Sequence, residues 1–308
     1  MKSIMGIVAI TFVIALASCR AVTGERDKIS VIMSEPASQI RRMLENGAET
    51  AAVEYNMDIS FVYWDHETAP YEFALENIGF DTKAIIFSGA ADSYFSDAIS
   101  SAKKSGVYVV IINGGSNDSF ADAVINSDNY AAGEKAASEA LKLEGARLLI
   151  GVVSSGGMLE SERLCMRGFR DRALEDSRVS LYPANSENMD AEQLLDACPD
   201  LDAIAAFSER DTIAMGMRIK EIDRGDILAI GVDSGAESIV MLETGALDAL
   251  VVQNPFAEGY LGVETVANLI RGGKEVARDL ITEAVIATRD NMFDEDMQKI
   301  LFLLDEPI

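Results

Sequence analysis

The amino-acid sequence predicts an α/β protein made of two doubly wound parallel-sheet lobes. Three observations carry the prediction. Apolar runs of strand length alternate with longer amphipathic runs from Lys28 almost to the end of the 308-residue chain. The short runs are continuously apolar rather than alternating, as strands buried on both faces of a parallel sheet must be. The strand–helix units outnumber what one sheet ordinarily holds, and the pattern starts afresh near Arg147, so two similar lobes fit better than one large sheet.

In order, Ile29–Ser34 reads as the first strand. Over Ser38–Tyr55 the residues Ile40, Met43, Leu44, Ala48 and Ala51 recur at helical spacing and share a face. Ile59–Trp64 is a second strand, Tyr71–Ile78 a helix and Ala84–Ser88 a third strand. The helix over Tyr94–Ser105 stops at Gly106. Val107–Asn113 is a strand ended by Gly114 and Gly115, Ala123–Asn126 a short strand and Asn129–Leu143 a helix. In the second half, strands are expected at Arg147–Val153, Val179–Tyr182, Ala203–Phe207, Ile227–Val232, Ala249–Val252 and Ala284–Ala287. Helices are expected at Leu159–Leu174, Ala191–Ala197, Asp211–Ile222, Ala236–Glu243, Gly259–Arg271 and Asp294–Leu304.

The first 19 residues, MKSIMGIVAITFVIALASC, stand apart. Lys2 precedes an uncharged apolar run from Ile4 to Ala17, and the run ends Leu16-Ala17-Ser18-Cys19. These are the three parts of an export signal. The cysteine gives it the form of a bacterial lipoprotein signal, with residues 1–18 removed and Cys19 lipidated. An ordinary signal peptide or a membrane-spanning helix is the alternative, but the run falls short of the about 20 residues that spanning takes. After a linker over 19–27, the rest of the chain is expected to work in the cell envelope, in the periplasm or on the outer face of the cytoplasmic membrane.

Composition narrows the function classes. Apolar residues make up 49% of the chain, and 51 acidic against 26 basic residues give a net charge of −25. Such a chain repels phosphate backbones, which argues against a nucleic-acid partner. His66 is the single histidine, no G-x-S-x-G elbow is present, and no metal-ligand spacing occurs, so neither a Ser-His-Asp hydrolase nor a metal centre is expected. No cofactor is expected either. Cys165 and Cys198 read as two buried thiols, with a disulfide as the alternative outside the cytoplasm.

Several short segments, in order, carry a resemblance. They are Ile29–Ser34 with Leu44-Glu45-Asn46-Gly47-Ala48, then Asn126-Ser127-Asp128-Asn129 with Gly133, and Arg163 with Arg167-Gly168-Phe169. Phe207-Ser208-Glu209-Arg210-Asp211 with Ala214 and Gly216 follows, then Ile230-Gly231-Val232-Asp233, then Gln253-Asn254-Pro255 with Gly259, Gly262 and Val263-Glu264-Thr265. From Lys28 to about Asn291 the chain resembles the type I periplasmic solute-binding proteins of the ribose- and galactose-binding group. The repressors related to that group carry a DNA-binding helix-turn-helix where this chain has its export signal.

The resemblance implies two lobes joined by a three-segment hinge near Asn126–Asn129, Gln253–Pro255 and Thr282–Val285. It puts 28–127 with 254–282 in the first lobe and 128–253 with 283–308 in the second. Ligand contacts are expected from Ser38, Ile40, Arg41, Ser88, Asn113 and Gly114 in the first lobe, and from Arg163, Arg210, Asp233 and Gln253 in the second. Ser38 and Asp233 alternatively cap helices. Arg163 and Asp233 are expected to orient each other and share a ligand hydroxyl. The chain departs from the family at Ile40-Arg41, where an aromatic pair is usual, at Asn113-Gly114 in place of Asp-Arg, and at Arg210 in place of Asn. Arg41, Arg163 and Arg210 suggest an anionic ligand, since guanidinium binds carboxylate or phosphate bidentately. Salt bridges to Glu160, Glu162, Glu209 and Asp211 explain them equally simply. The turn Ser154–Gly157 is either an anion cradle or a tight turn. The implied function is delivery of a small polar ligand, a carbohydrate or derivative, to an ABC permease by a lipid-anchored monomer without enzymatic activity. The alternatives are a ligand-presenting sensor for a chemoreceptor or histidine kinase, a cell-envelope enzyme on an α/β scaffold, and a relative that has lost its ligand.

Overall fold

The computed structural model describes residues 26–34, 39–64, 81–88, 94–113, 121–184, 188–272 and 276–302. The expected signal with Cys19, the helix over Tyr71–Ile78, and two expected ligand contacts, Ser38 and Gly114, lie outside the described residues.

The chain forms two sheets. The first half contributes β1 (Asp27–Ser34), α1 (Gln39–Glu54), β2 (Met57–Trp64), β3 (Thr82–Ser88), α2 (Tyr94–Lys104), β4 (Tyr108–Ile112) and β5 (Ala123–Ser127). The second half contributes α3 (Asn129–Ala140), β6 (Leu148–Val152), α4 (Glu160–Leu174), β7 (Val179–Tyr182), α5 (Ala191–Ala197) and β8 (Ala203–Ala206). It continues through α6 (Glu209–Glu221), β9 (Leu228–Val232), α7 (Ala236–Thr244) and β10 (Ala249–Val252). The last elements are α8 (Pro255–Ile270), β11 (Asp279–Thr282), β12 (Val285–Thr288) and α9 (Glu295–Leu301).

Strand order is β11-β5-β4-β3-β1-β2 in the first sheet and β12-β10-β9-β8-β6-β7 in the second. Both sheets are parallel except where β12 runs antiparallel to β10, with Val251 opposite Ile286. β11 was not anticipated from the sequence. It adds to the first sheet beside β5, with Asp279 opposite Val124. The chain therefore passes between sheets three times, after β5, after β10 and between β11 and β12.

The central strands of each sheet are buried on both faces. In β1, Val31 points into a cluster with Leu44, Ala48, Ile86 and Val263, whereas Ile32 points into one with Phe87, Ile99 and Ile111. In the second sheet, Ile150 packs with Phe169 of α4 and Ala136 of α3, whereas Ile204 packs with Leu194, Met215 and Leu242. This explains the continuous apolar runs: neither face of these strands meets water.

Two pairs of helices cross at van der Waals distance on opposed glycines. A Cβ at Gly47 of α1 would lie 2.0 Å from the Phe256 carbonyl oxygen, and one at Gly259 of α8 would lie 2.0 Å from that of Leu44. The second lobe repeats the device, with Gly133 of α3 against Cys165 (1.9 Å) and Gly168 of α4 against Tyr130 (2.1 Å). These four motif glycines are thus places where two helix backbones touch. Because α8 packs on α1, it belongs with the first sheet although it follows β10 of the second.

Cys165 is buried in α4 and Cys198 is half-buried at the end of α5; both are free thiols. The expectation of two buried thiols is corrected for Cys198, which caps a short helix at the lobe surface.

Candidate functional site: two switch points and a hinge

In a doubly wound sheet the order of strands reverses at one place, and the loops leaving the carboxyl ends there diverge to leave a crevice. The reversal lies between β1 and β3 in the first sheet and between β6 and β8 in the second. β6 ends in the turn 153–159. Ser154 pairs with Met189 through backbone bonds of 3.0 and 2.8 Å. Ser155 donates its N–H and its Oγ to the Asp211 carboxylate, at 3.3 and 2.5 Å. Asp211 is buried in the first turn of α6, whose N-cap is Ser208. A carboxylate is favoured there by the helix dipole. Arg210 donates to Ser155 Oγ and, at 3.0 Å, to the Gly156 carbonyl. The turns after β6 and β8 are thereby tied together, and Ser154–Gly157 is held as a tight turn.

Arg163 projects from the first full turn of α4. Its Nε lies 2.9 Å from Glu160, and Nη1 donates to the Met158 carbonyl. Asp233, just past β9, is 8% exposed and accepts from the Ser234 N–H at 2.7 Å and Ser238 Oγ at 2.5 Å. The mutual Arg163–Asp233 arrangement expected from the sequence is not the one formed. Each residue takes partners from its own loop and helix start, where the reach is shorter. Burial pushes the Glu209 carboxyl up, and the charges of Asp233 and Glu237 add to the shift. Burial likewise raises Glu162, and Asp211 adds to that, although the Leu159 N–H opposes it.

In the first lobe Ile40 is 40% exposed on α1. Arg41 lies 3.2 Å from Glu45 one turn on, with its guanidinium 4.5 Å from the Tyr63 ring centre. Ser88 is half-buried at the end of β3. Asn113 follows β4 with φ +52°, in the left-handed region that asparagine tolerates.

The Asn113 side chain turns toward the crossings between lobes. Its Nδ2 donates to Glu258 Oε2 at 2.7 Å, and its Oδ1 accepts from the Ser127 N–H at 3.2 Å. The other oxygen of Glu258 accepts from Ser127 Oγ and, at 3.1 Å, from Thr282 Oγ1. Beside them, Gln253 Nε2 donates to Asn129 Oδ1 at 2.7 Å, and Asn129 donates to the Ser127 carbonyl at 3.2 Å. Of the expected contacts, Asn113 and Gln253 thus both bind into the crossings, and Arg210 closes the second-lobe turn. The sequence points to Ser155 only as part of the turn Ser154–Gly157 and to Asp211 only as a salt-bridge partner, which it is for Arg210 at 3.5 Å, and it does not point to Glu258 at all. An acid in the first turn of a helix is so ordinary a pattern that Glu258 carries no signal of its own.

Residues 29–275 match the family model of the periplasmic binding protein domain. This chain belongs to that family. The ribose import binding protein RbsB of Bacillus subtilis (strain 168) is 28% identical to this periplasmic binding protein over 246 residues, 75% of this chain and 77% of its own. The D-allose-binding periplasmic protein of Escherichia coli (strain K12) is 25% identical over 225 residues, 65% of this chain and 70% of its own. The sugar-binding protein of a sugar ABC transporter from Bacillus halodurans superposes with a TM-score of 0.77 at 20% identity, over 86% of this chain and 98% of that chain. At that identity it establishes the fold: two parallel-sheet lobes of the type I periplasmic binding protein kind. No helix among the described residues is long and apolar enough to cross a membrane.

Proposed function

We propose that this protein is an extracytoplasmic solute-binding protein that takes a small neutral carbohydrate between its lobes and hands it to an ABC permease. A lipid on Cys19 would hold it to the membrane. The observation that carries the reading is the pair of switch-point crevices, one on each sheet, with three chain crossings between them. We assign 28–127 with 254–282 to one closing body and 128–253 with 283–308 to the other. The relatives named for ribose import and D-allose binding support a sugar as the ligand class.

The arginine contacts support a neutral ligand. Arg41 meets Glu45, Arg163 meets Glu160, and Arg210 meets Asp211 and Ser155. A guanidinium already facing a carboxylate offers little further attraction to an anion. The nearby Glu162, Glu209, Asp233 and Glu237 add negative charge. We retain Ser38, Ile40, Arg41, Ser88, Asn113, Gly114, Arg163, Arg210, Asp233 and Gln253 as the rim from which contacts come. Arg163 and Arg210 act there chiefly by holding their turns.

A thermal-shift screen of neutral sugars, sugar acids and sugar phosphates tests this. A ligand at 100 times its Kd stabilises by about 2.7 kcal/mol. The expected result is a hit among neutral sugars that survives Arg41→Ala. A hit confined to acids or phosphates and lost in Arg210→Ala would overturn the neutral reading, and no hit in any class would overturn sugar binding. Separately, Cys19→Ala is expected to move the protein from the membrane fraction to the soluble fraction; unchanged fractionation would contradict the lipid anchor.

A further inference from the structure

We infer that Glu258 is a positioning residue for ligand binding, a single buried carboxylate that fastens the three lobe crossings to one another and to the ligand-side end of β4. The inference rests on the reading of this chain as a two-lobed binding protein, and of the residues involved only Asn113 belongs to the expected contact set. Glu258 is 1% exposed in the first turn of α8, the helix that opens directly after the second crossing. Its oxygens receive Ser127 Oγ from the first crossing, Thr282 Oγ1 from the third, and Asn113 Nδ2 from the end of β4. Asn113 in turn receives the Ser127 N–H. The next backbone link, from the Asp128 N–H to the Thr282 carbonyl at 3.1 Å, joins the first and third crossings directly.

The chemistry makes the site selective for a carboxylate or its isostere. Asn113 Nδ2 is a donor only, so the group facing it must accept. The two hydroxyls are adaptable, since each can donate or accept. An ionised Glu accepts from all three. A Gln in its place satisfies them in one orientation, with Oε1 toward Asn113 and its amide toward the hydroxyls, which turn to accept. A Leu takes the acceptor from Asn113 Nδ2 and Ser127 Oγ, and leaves Thr282 Oγ1 only the Asn126 carbonyl at 3.5 Å. Asp at position 113 sets carboxylate against carboxylate at the 2.7 Å contact, which one of them relieves only by taking up a proton. The Asn113→Asp/Glu258→Gln pair exchanges acceptor and donor and restores the contact.

The test reads sugar-free protein at pH 8, by amide hydrogen exchange at Ser127 and Asp128 and by the small-angle-scattering radius of gyration. Asn113→Asp is expected to speed exchange at those two amides by about tenfold or more, with the rest of the protein unchanged, and to alter the radius. The double variant is expected to return both readings to those of the wild type. Should Asn113→Asp fail to fold, Glu258→Gln is expected to match the wild type within about twofold in exchange while Glu258→Leu does not. Unchanged exchange and radius in Asn113→Asp would overturn the inference. So would a rise spread evenly over the protein, which is what an ordinary core residue gives, or a double variant no nearer the wild type than the single. Titration with D-ribose is a separate arm: its failure counts against the sugar reading, and the sugar-free readings against Glu258.

Discussion

At the scale of single residues, Glu258 also sets a pH dependence. Burial raises its carboxyl, and the hydrogen bonds from Ser127, Asn113 and Thr282 oppose this only in part. Between the ordinary carboxylate range and the raised value, the folded chain keeps a proton that the unfolded chain has released. The stability this contributes is whole below the ordinary range and is lost as pH rises through the raised value. Glu258→Gln has no such loss. Its stability relative to the wild type is expected to increase from about pH 4 to about pH 8, read by urea denaturation across a pH series. The other shifted acids are common to both proteins and cancel; parallel pH profiles would contradict the account. The cysteines make a second test. Burial pushes the Cys165 thiol up to about 12, so iodoacetamide is expected to label Cys198 and spare Cys165 in the folded protein. Equal labelling of the two would show that α4 does not shield its thiol.

At the scale of elements, the two glycine crossings hold each lobe together. Gly133→Ala would place a methyl 1.9 Å from the Cys165 carbonyl oxygen, so α3 and α4 must separate. A loss of about 3 kcal/mol is expected from the urea midpoint. Gly225→Ala, with nothing within 4 Å of the added carbon, serves as the control and is expected to change little. If the two variants were equally stable, the close approach of the helices would be wrong. These glycines also show why the fold was so legible in the sequence. They fall within the segments that carry the resemblance, at positions where helix backbones touch. The buried strands were legible for the related reason that both their faces are apolar. β11 was not, because Asp279 is exposed, Ile281 is 64% exposed, and only Thr282 is buried, which leaves no apolar run to read. The candidate site was less legible than the fold. Asn113 was picked out for the crevice, but its amide is held by Glu258, 145 positions away. Arg163 and Asp233 were paired by type, whereas each found a nearer partner. Hydrogen-bond partners depend on side-chain direction, which spacing along a chain does not specify.

At the scale of the whole molecule, the proposed function requires the two lobes, linked by three crossings, to approach across a crevice. A neutral sugar filling the crevice has to favour the closed arrangement by its contacts with both lobes, since a ligand shifts an equilibrium only by its differential affinity. Hinge closure of this kind needs the crossings to absorb the change while the sheets stay rigid. The sheets are suited to that, with Ile85, Ile86, Val109, Val110, Ile150 and Ile204 wholly buried in the two lobes. The most direct measurement is small-angle scattering of the wild-type protein with and without the neutral sugar that gives the largest thermal shift. The account expects the radius of gyration to fall on adding the sugar and to stay unchanged with a non-binding stereoisomer. An unchanged radius with a saturating, thermally stabilising sugar would contradict it, because binding would then occur without the lobes closing.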